Sequence, residues 1–221
     1  MKQTYDTLRD LYLHDLQQPD VHHGKAVASK TRRIEPWTRI ESYYAANKVA
    51  PEGDTWVWSD LHFGHKNIIK YSNRPFETMV EMHDSLIRNY LSVVKQYDTV
   101  IFGGDISFMS VNNMNEILDQ LPGYKIQIIG NHDFERSGAV MDLNFDERHL
   151  CMVRDIPDTE FQLLFSHYPL DTVPINCVSV HGHIHQHLGQ AHNINICVEH
   201  TNYAPLNIKE VERRAISYLT T

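Results

Sequence analysis

The stretch Cys177-Val178-Ser179-Val180-His181-Gly182-His183-Ile184-His185 is an apolar run that empties into three histidines at alternate positions. Side chains two apart on extended backbone point the same way, so His183 and His185 are expected to face one site together. Gly182 suits a sharp turn or a close backbone approach. Neutral imidazole is the commonest side-chain metal ligand, and a histidine pair needs further donors to complete a site. Four other apolar runs end in the same manner. Trp56-Val57-Trp58 leads to Asp60 and His62, and Val100-Ile101-Phe102 leads through two glycines to Asp105. Lys125 to Ile129 leads to Gly130-Asn131-His132-Asp133, and Phe161 to Phe165 leads to His167. Asp60, His62, Asp105, Asn131, His167, His183 and His185 are oxygen and nitrogen donors without a thiolate. Such a set suits two borderline divalent ions, Mn²⁺ first and Fe²⁺, Ni²⁺ or Zn²⁺ as alternatives, rather than Ca²⁺ or Mg²⁺ alone.

These residues need elements that carry them to one place. Met79, Val80, Leu86, Ile87, Tyr90, Leu91 and Val94 recur at helical spacing and predict a helix across 77–96. A second helix is expected around Asn112 to Leu121, with Met114, Ile117, Leu118 and Leu121 inward, stopped by Pro122-Gly123. Asn193 to Val198 looks like one more strand, and Ile208 to Leu219 like a short closing helix. Residues 138–155 show no clear period. Strand, helix, strand, helix, strand is the order of an α/β sheet, which gathers functional groups at the carboxyl ends of its strands.

Composition narrows the class. A chain of 221 residues fits one compact domain, or one domain with an appendage. Its formal charge of −8 argues against a surface that coats nucleic acid, so nucleic acid is not the favoured partner. No apolar run reaches about 18 residues and the N-terminus lacks a signal-peptide core, which implies no membrane span and a cytoplasmic protein. Cys151, Cys177 and Cys197 lack metal-site or redox spacing and read as reduced core residues. Residues 4–17 carry Tyr5, Leu8, Tyr12 and Leu16 on helical spacing, and Lys25 to Lys48 hold six basic residues against two acidic ones. Residues 1–50 are therefore taken as a helical, basic extension, and residues 51–221 as the domain that carries the chemistry.

The ordered motifs D-x-H at Asp60 and His62, G-D at Asp105, G-N-H-D at 130–133, the lone His167 and G-H-x-H at 182–185 resemble the calcineurin-like metallophosphoesterase superfamily. The loop Ser59 to His65, with Asn73-Arg74-Pro75-Phe76, is similar to its small bacterial and phage branch. The resemblance implies an α/β fold in which a sandwich of two sheets is flanked by helices. It also implies that Asp60, His62 and His185 hold one metal, Asn131, His167 and His183 the second, and that Asp105 bridges both. The implied activity is hydrolysis of a phosphodiester, of nucleotide or cyclic-nucleotide type, by a hydroxide held on the metals. A phosphomonoesterase, a small nuclease and a metal-binding interaction scaffold are the alternatives. The 36 residues after His185 leave little room for the capping domain of a repair nuclease.

In the family the histidine at the position of His132 stands over the leaving oxygen, so His132 is expected to act as general acid beside the catalytic Asp105. Asp133 is expected to be a structural hydrogen-bond acceptor. Arg74, His65 and Asn67, on the loop after the first ligand pair, are the candidates for substrate binding. An arginine suits bidentate phosphate recognition, although an arginine before Pro75-Phe76 equally suits a brace for the loop.

Overall fold

The computed structural model describes residues 53–190 and 193–220. The chain divides into two units, Met1–Val49 and Ala50–Thr221; the extension and the helix expected at 4–17 lie outside the described residues. The strands are β1 (Thr55–Trp58), β2 (Thr99–Phe102), β3 (Tyr124–Ile128), β4 (Glu147–His149), β5 (Cys151–Asp155), β6 (Gln162–Ser166), β7 (Cys177–His181), β8 (Asn193–Asn195) and β9 (Leu206–Asn207). The helices are α1 (Ile68–Tyr71), α2 (Met79–Val93), α3 (Val111–Gln120) and α4 (Ile208–Leu219). One sheet runs β4-β3-β2-β1-β9 and the other β5-β6-β7-β8. Strands β1 to β4 are parallel with β9 antiparallel, while β6 to β8 are parallel with β5 antiparallel. The protein is thus a mixed α/β fold of two sheets with flanking helices.

Alternation along the strands decides what lies between the sheets. In register, Val57, Ile101 and Ile126 stand side by side in one sheet, and Phe165, Val180 and Ile194 in the other. All six belong to one buried cluster that also takes Ile208, Val211 and Ala215 from α4. Each such side chain removed from water stabilises the fold by roughly 1.5–3 kcal/mol. The next residues in register, Trp58 and Phe102, point to the opposite face and meet Tyr90 of α2, at ring separations of 5.6 and 6.2 Å.

Helix α2 begins where the Thr78 side chain accepts the Glu81 N–H at 3.1 Å, an N-cap that satisfies one of the free donors of the first turn. Its inner stripe is Met82, His83, Leu86, Ile87 and Tyr90. Leu91, expected inward, is instead 40% exposed. The stripe at i, i+1, i+4, i+5 and i+8 from Met82 turns Leu91 outward, and His83 takes an inner place that hydrophobicity alone assigns to an aliphatic residue. In α3, Met114, Ile117, Leu118 and the following Leu121 are buried as the periodicity requires.

Three segments depart from the sequence reading. Residues 147–155, which lack a period, form β4 and β5, both at sheet edges; β4 is half-buried throughout and β5 alternates exposed with half-buried. An edge strand with little to bury leaves little hydrophobic pattern. Ile68–Tyr71 closes one helical turn within the loop read as irregular. Cys151 is exposed rather than in the core, whereas Cys177 and Cys197 are buried, and all three are free thiols.

Phe165→Ala is expected to cost about 3–5 kcal/mol, because it empties a fully buried position between the sheets. Leu91→Ser should stay within about 0.5 kcal/mol of the native protein. Urea unfolding followed by circular dichroism measures both, and equal costs would mean that the buried face of α2 has been wrongly placed.

Candidate metal centre

The parallel register sets the carboxyl ends of β1, β2 and β3 along one edge, and the segments beyond them zip together. Asp60 N–H donates to Gly104 C=O at 3.0 Å, and His62 N–H to Asp105 C=O at 3.1 Å. The second sheet joins through a parallel bridge between Ser59 and Cys197, and through His183 N–H, which donates to Asp60 Oδ2 at 2.9 Å. Approach this close requires glycine. A Cβ on Gly182 would fall on Asp60 Oδ2 and Ser59 Oγ, and one on Gly130 would fall on Asp105 Oδ1 and N.

Asp60, His62 and His185 form one group of candidate ligands, and Asp105, His167 and His183 another, each with its donor atoms within 4.8 Å of one another. In the first, Asp60 Oδ1 lies 3.9 Å from Nε2 of both His62 and His185. Asp105 faces both groups, with Oδ2 3.6 Å from His62 Nε2 and Oδ1 3.4 Å from His167 Nε2. Asn131 joins the second group, its Oδ1 2.9 Å from His167 Nε2. All seven residues singled out by the strand-end pattern are therefore gathered at one edge. The way they are gathered differs from the expectation. Asp60, His62, Asp105, His183 and His185 have φ between 49° and 70°, in the left-handed region and not on extended backbone. Alternate spacing thus does not aim His183 and His185 at a single group; the twist between them sends one to each. Holding five non-glycine residues in that region costs conformational energy, which clusters at functional sites.

The chemistry of the donors fits a cation. His167 Nδ1 stands 2.8 Å from the Gly103 carbonyl, which only accepts, so Nδ1 carries the hydrogen. In the neutral ring Nε2 is then a lone pair, and it faces the oxygens of Asn131 and Asp105. A proton or a metal ion on Nε2 would satisfy all three acceptors. Burial opposes a charged His167 ring, but the carboxylates of Asp105 and Asp60 outweigh it and lift its pKa to about 9. His62 is 2% exposed and neither ring nitrogen has a hydrogen-bond partner, and burial pushes its pKa down. Burial would raise the Asp60 carboxyl, yet His62, His167 and His185 around it hold it below the ordinary range. Two buried carboxylates ringed by imidazoles make a donor set that could hold a metal ion.

Around the donors lies a fastening layer. Asp133 is fully buried; Oδ2 accepts from Asp105 N–H at 3.0 Å and Gly130 N–H at 2.8 Å, and Oδ1 from Ile106 N–H at 2.9 Å. It is the expected acceptor, and it fixes the turn that presents Asp105. His83 Nε2 accepts the Gly64 N–H at 2.9 Å and so ties α2 to the loop after His62. Its pKa falls to about 3 because it is buried, with Arg74 nearby.

Of the two readings of Arg74, phosphate ligand and loop brace, the contacts favour the brace. Its guanidinium is fully buried and all five N–H groups are engaged: with Glu199 Oε1 twice, the carbonyls of Leu61 and Asp60, and Met82 Sδ. It is a brace, and no donor remains for a phosphate. His65 lies beside the site, its ring 5.4 Å from that of His62 and stacked at 4.3 Å on Phe108, and burial with the neighbouring His62 lowers its pKa to about 4. Asn67 is exposed at the start of α1, and its side chain makes no cap hydrogen bond. His132 is exposed, with its ring 5.7 Å from that of His62 and 4.8 Å from that of Phe108. Its backbone N–H donates to Asp105 Oδ1 at 2.8 Å.

Sequence reasoning missed Glu199. It follows the apolar run 193–198, the same signal that marks the other strand ends. Its carboxylate accepts from Arg74 and lies 3.3 Å from His185 Nδ1. Burial would raise its pKa, but His185 and Arg74 hold it below the ordinary range.

Fold and site together define a two-sheet α/β protein whose strand ends build adjoining histidine and carboxylate groups able to hold metal ions. No family model matches the chain. It belongs to the same family as the uncharacterized protein MJ1445 of Methanocaldococcus jannaschii, with which it is 35% identical over 164 residues, 69% of this chain and 86% of that protein. The Gene 66 protein of Mycobacterium phage L5 is 42% identical over 84 residues, 36% of this chain and 40% of that protein. Among solved structures, the protein of unknown function AQ665 from Aquifex aeolicus superposes with a TM-score of 0.56 at 26% identity, covering 72% of this chain and 98% of that one. Among the described residues no helix is long and apolar enough to cross a membrane.

Two outcomes test this geometry. The purified chain is expected to bind two Mn²⁺ per molecule, and Asp105→Ala to weaken both, since one side chain faces both groups; metal analysis after equilibrium dialysis reads the stoichiometry. Arg74→Ala is expected to cost about 3–5 kcal/mol in urea unfolding, because it strands Glu199 and two buried carbonyls. A stable Arg74→Ala protein with only a raised KM would restore Arg74 to substrate binding.

Proposed function

We propose that this protein is a dinuclear metal-dependent phosphoesterase with the calcineurin-like metallophosphoesterase fold, acting on a phosphodiester of nucleotide or cyclic-nucleotide type. The observation that carries the reading is Asp105, whose two carboxylate oxygens each face one of two histidine-containing groups. That arrangement suits a shared ligand between two cations, with Asp60, His62 and His185 on one side and Asn131, His167 and His183 on the other. When bound, divalent ions such as Mn²⁺ supply a nucleophile from water at neutral pH and neutralise the phosphoryl oxygens.

The chain's own residues do the rest. Asp133 and the Gly130 turn hold Asp105 and Asn131 in place, so the donor set is organised before substrate arrives. His132 stands exposed above the first group, its loop pinned to Asp105 through its backbone N–H. In this reading an imidazole nitrogen of His132 gives a proton to the departing oxygen of the ester. The ring of Phe108 stacks on His65 and lies 4.8 Å from that of His132, and in this reading these rings border the ester group.

General acid catalysis typically supplies about 10²–10⁴-fold in rate, and a good leaving group needs little of it. His132→Ala is therefore expected to keep both metals and to lose more kcat/KM on a nucleotide diester than on bis-p-nitrophenyl phosphate, at matched Mn²⁺ occupancy. Equal losses on both would assign His132 to binding the phosphoryl oxygens. The class of ester is tested with a Mn²⁺-loaded panel of diesters and monoesters; faster turnover of the monoesters would replace the diester reading.

A further inference from the structure

His185, Cys197 and Glu199 make a third group with ligand-like spacing. It does not make a separate ion site. Glu199 Oε1 receives two N–H groups of Arg74, at 2.9 Å from Nε and 2.8 Å from Nη2, so a full positive charge already sits on that oxygen. The thiol of Cys197 is engaged as well, donating to Asp60 Oδ2 at 3.1 Å. What remains is the approach of Glu199 Oε1 to His185 Nδ1, a buried nitrogen with no hydrogen-bond partner, at 3.3 Å and short of hydrogen-bond alignment, while Nε2 of the same ring looks toward Asp60.

Resting on the metal-centre reading above, we propose that Glu199 is a positioning residue for the first metal group: it keeps the hydrogen of His185 on Nδ1 and turns Nε2, as a lone pair, to the ion. A carboxylate behind a metal-bound imidazole fixes its tautomer and ring orientation and raises the basicity of the ligating nitrogen, and removing such a partner typically costs about 10–100-fold in metal affinity. Arg74 extends the device. The guanidinium that holds Glu199 also donates to the Asp60 carbonyl at 2.7 Å and the Leu61 carbonyl at 3.0 Å. One buried ion pair therefore spans residues 125 positions apart and sets the distance between two ligands of the same ion, the loop of Asp60 and the ring of His185. The Glu199 side chain is 5% exposed and that of Arg74 is fully buried, so neither reaches substrate.

The test is a Mn²⁺ titration of the metal-free full chain by calorimetry, with electron paramagnetic resonance to resolve the two ions. Glu199→Gln is expected to weaken one of the two sites by roughly 10–100-fold and to leave the other at its native affinity. Glu199→Asp keeps a carboxylate for Arg74 but draws it back from His185, and should show the same one-sided loss, so the test survives if the glutamine variant does not fold. Native affinity at both sites, an equal loss at both, or failure of both variants to fold would each overturn the proposal and leave Glu199 a structural partner of Arg74. Should the native chain itself bind fewer than two ions, it is the dinuclear reading that falls, an outcome distinct from these.

Discussion

The structure depends on keeping two carboxylates, Asp60 and Asp105, buried at one edge of the fold. An ionised carboxylate out of water is costly unless it is paired or hydrogen-bonded. Here the compensation comes from every side. Asp60 accepts the Ser59 hydroxyl at 2.6 Å, the His183 N–H and the Cys197 thiol. Asp105 accepts the His132 N–H and stands between His62 and His167. These partners lie beyond strands of both sheets, so the two sheets must come together at this edge for either carboxylate to be tolerable. The demand that fastens the sheets is the same one that suits the pocket to cations.

Backbone conformation is the second means. Extended strands deliver residues to the edge, and left-handed backbone at Asp60, His62, Asp105, His183 and His185 then aims the side chains. The energy of those conformations is recovered from hydrogen bonds that only the aimed arrangement makes, such as Asp133 gripping the N–H groups of Gly130, Asp105 and Ile106. The neighbouring glycines serve the same end by removing the Cβ atoms that would occupy the space of the carboxylates.

Outside the donors, buried polar residues without access to substrate hold the geometry. Arg74 and Glu199 bind the first motif to the turn after β8, and His83 binds α2 to the loop of His62. A charged pair in such a place contributes little net stability compared with an apolar pair of the same volume, but breaking it is costly. Its value lies in fixing distances among ligands.

Much of the site was legible in the chain itself. Apolar runs that end in Asp60 and His62, Asp105, Asn131, His167, and His183 and His185 marked the donors, because a parallel sheet collects the ends of its strands and the donor types are those metals favour. The α3 face was legible for the same reason, since a buried helix stripe must repeat at its own period. The edge strands β4 and β5 were not, because they bury too little to leave a pattern, nor was the outward turn of Leu91, which depends on which stripe the sheet meets. The division of His183 and His185 between two groups lies in backbone dihedrals that spacing does not encode. The role of Glu199, and the choice between phosphate ligand and brace for Arg74, were decided by tertiary structure alone: the sequence leaves both readings of the arginine open until a carboxylate 125 residues away is found occupying it. The sequence determines which chemical groups arrive at the edge, through periodicity and local turns. Which of them face the pocket and which lock it in place follows from long-range burial and charge pairing, which exist only once the two sheets have met.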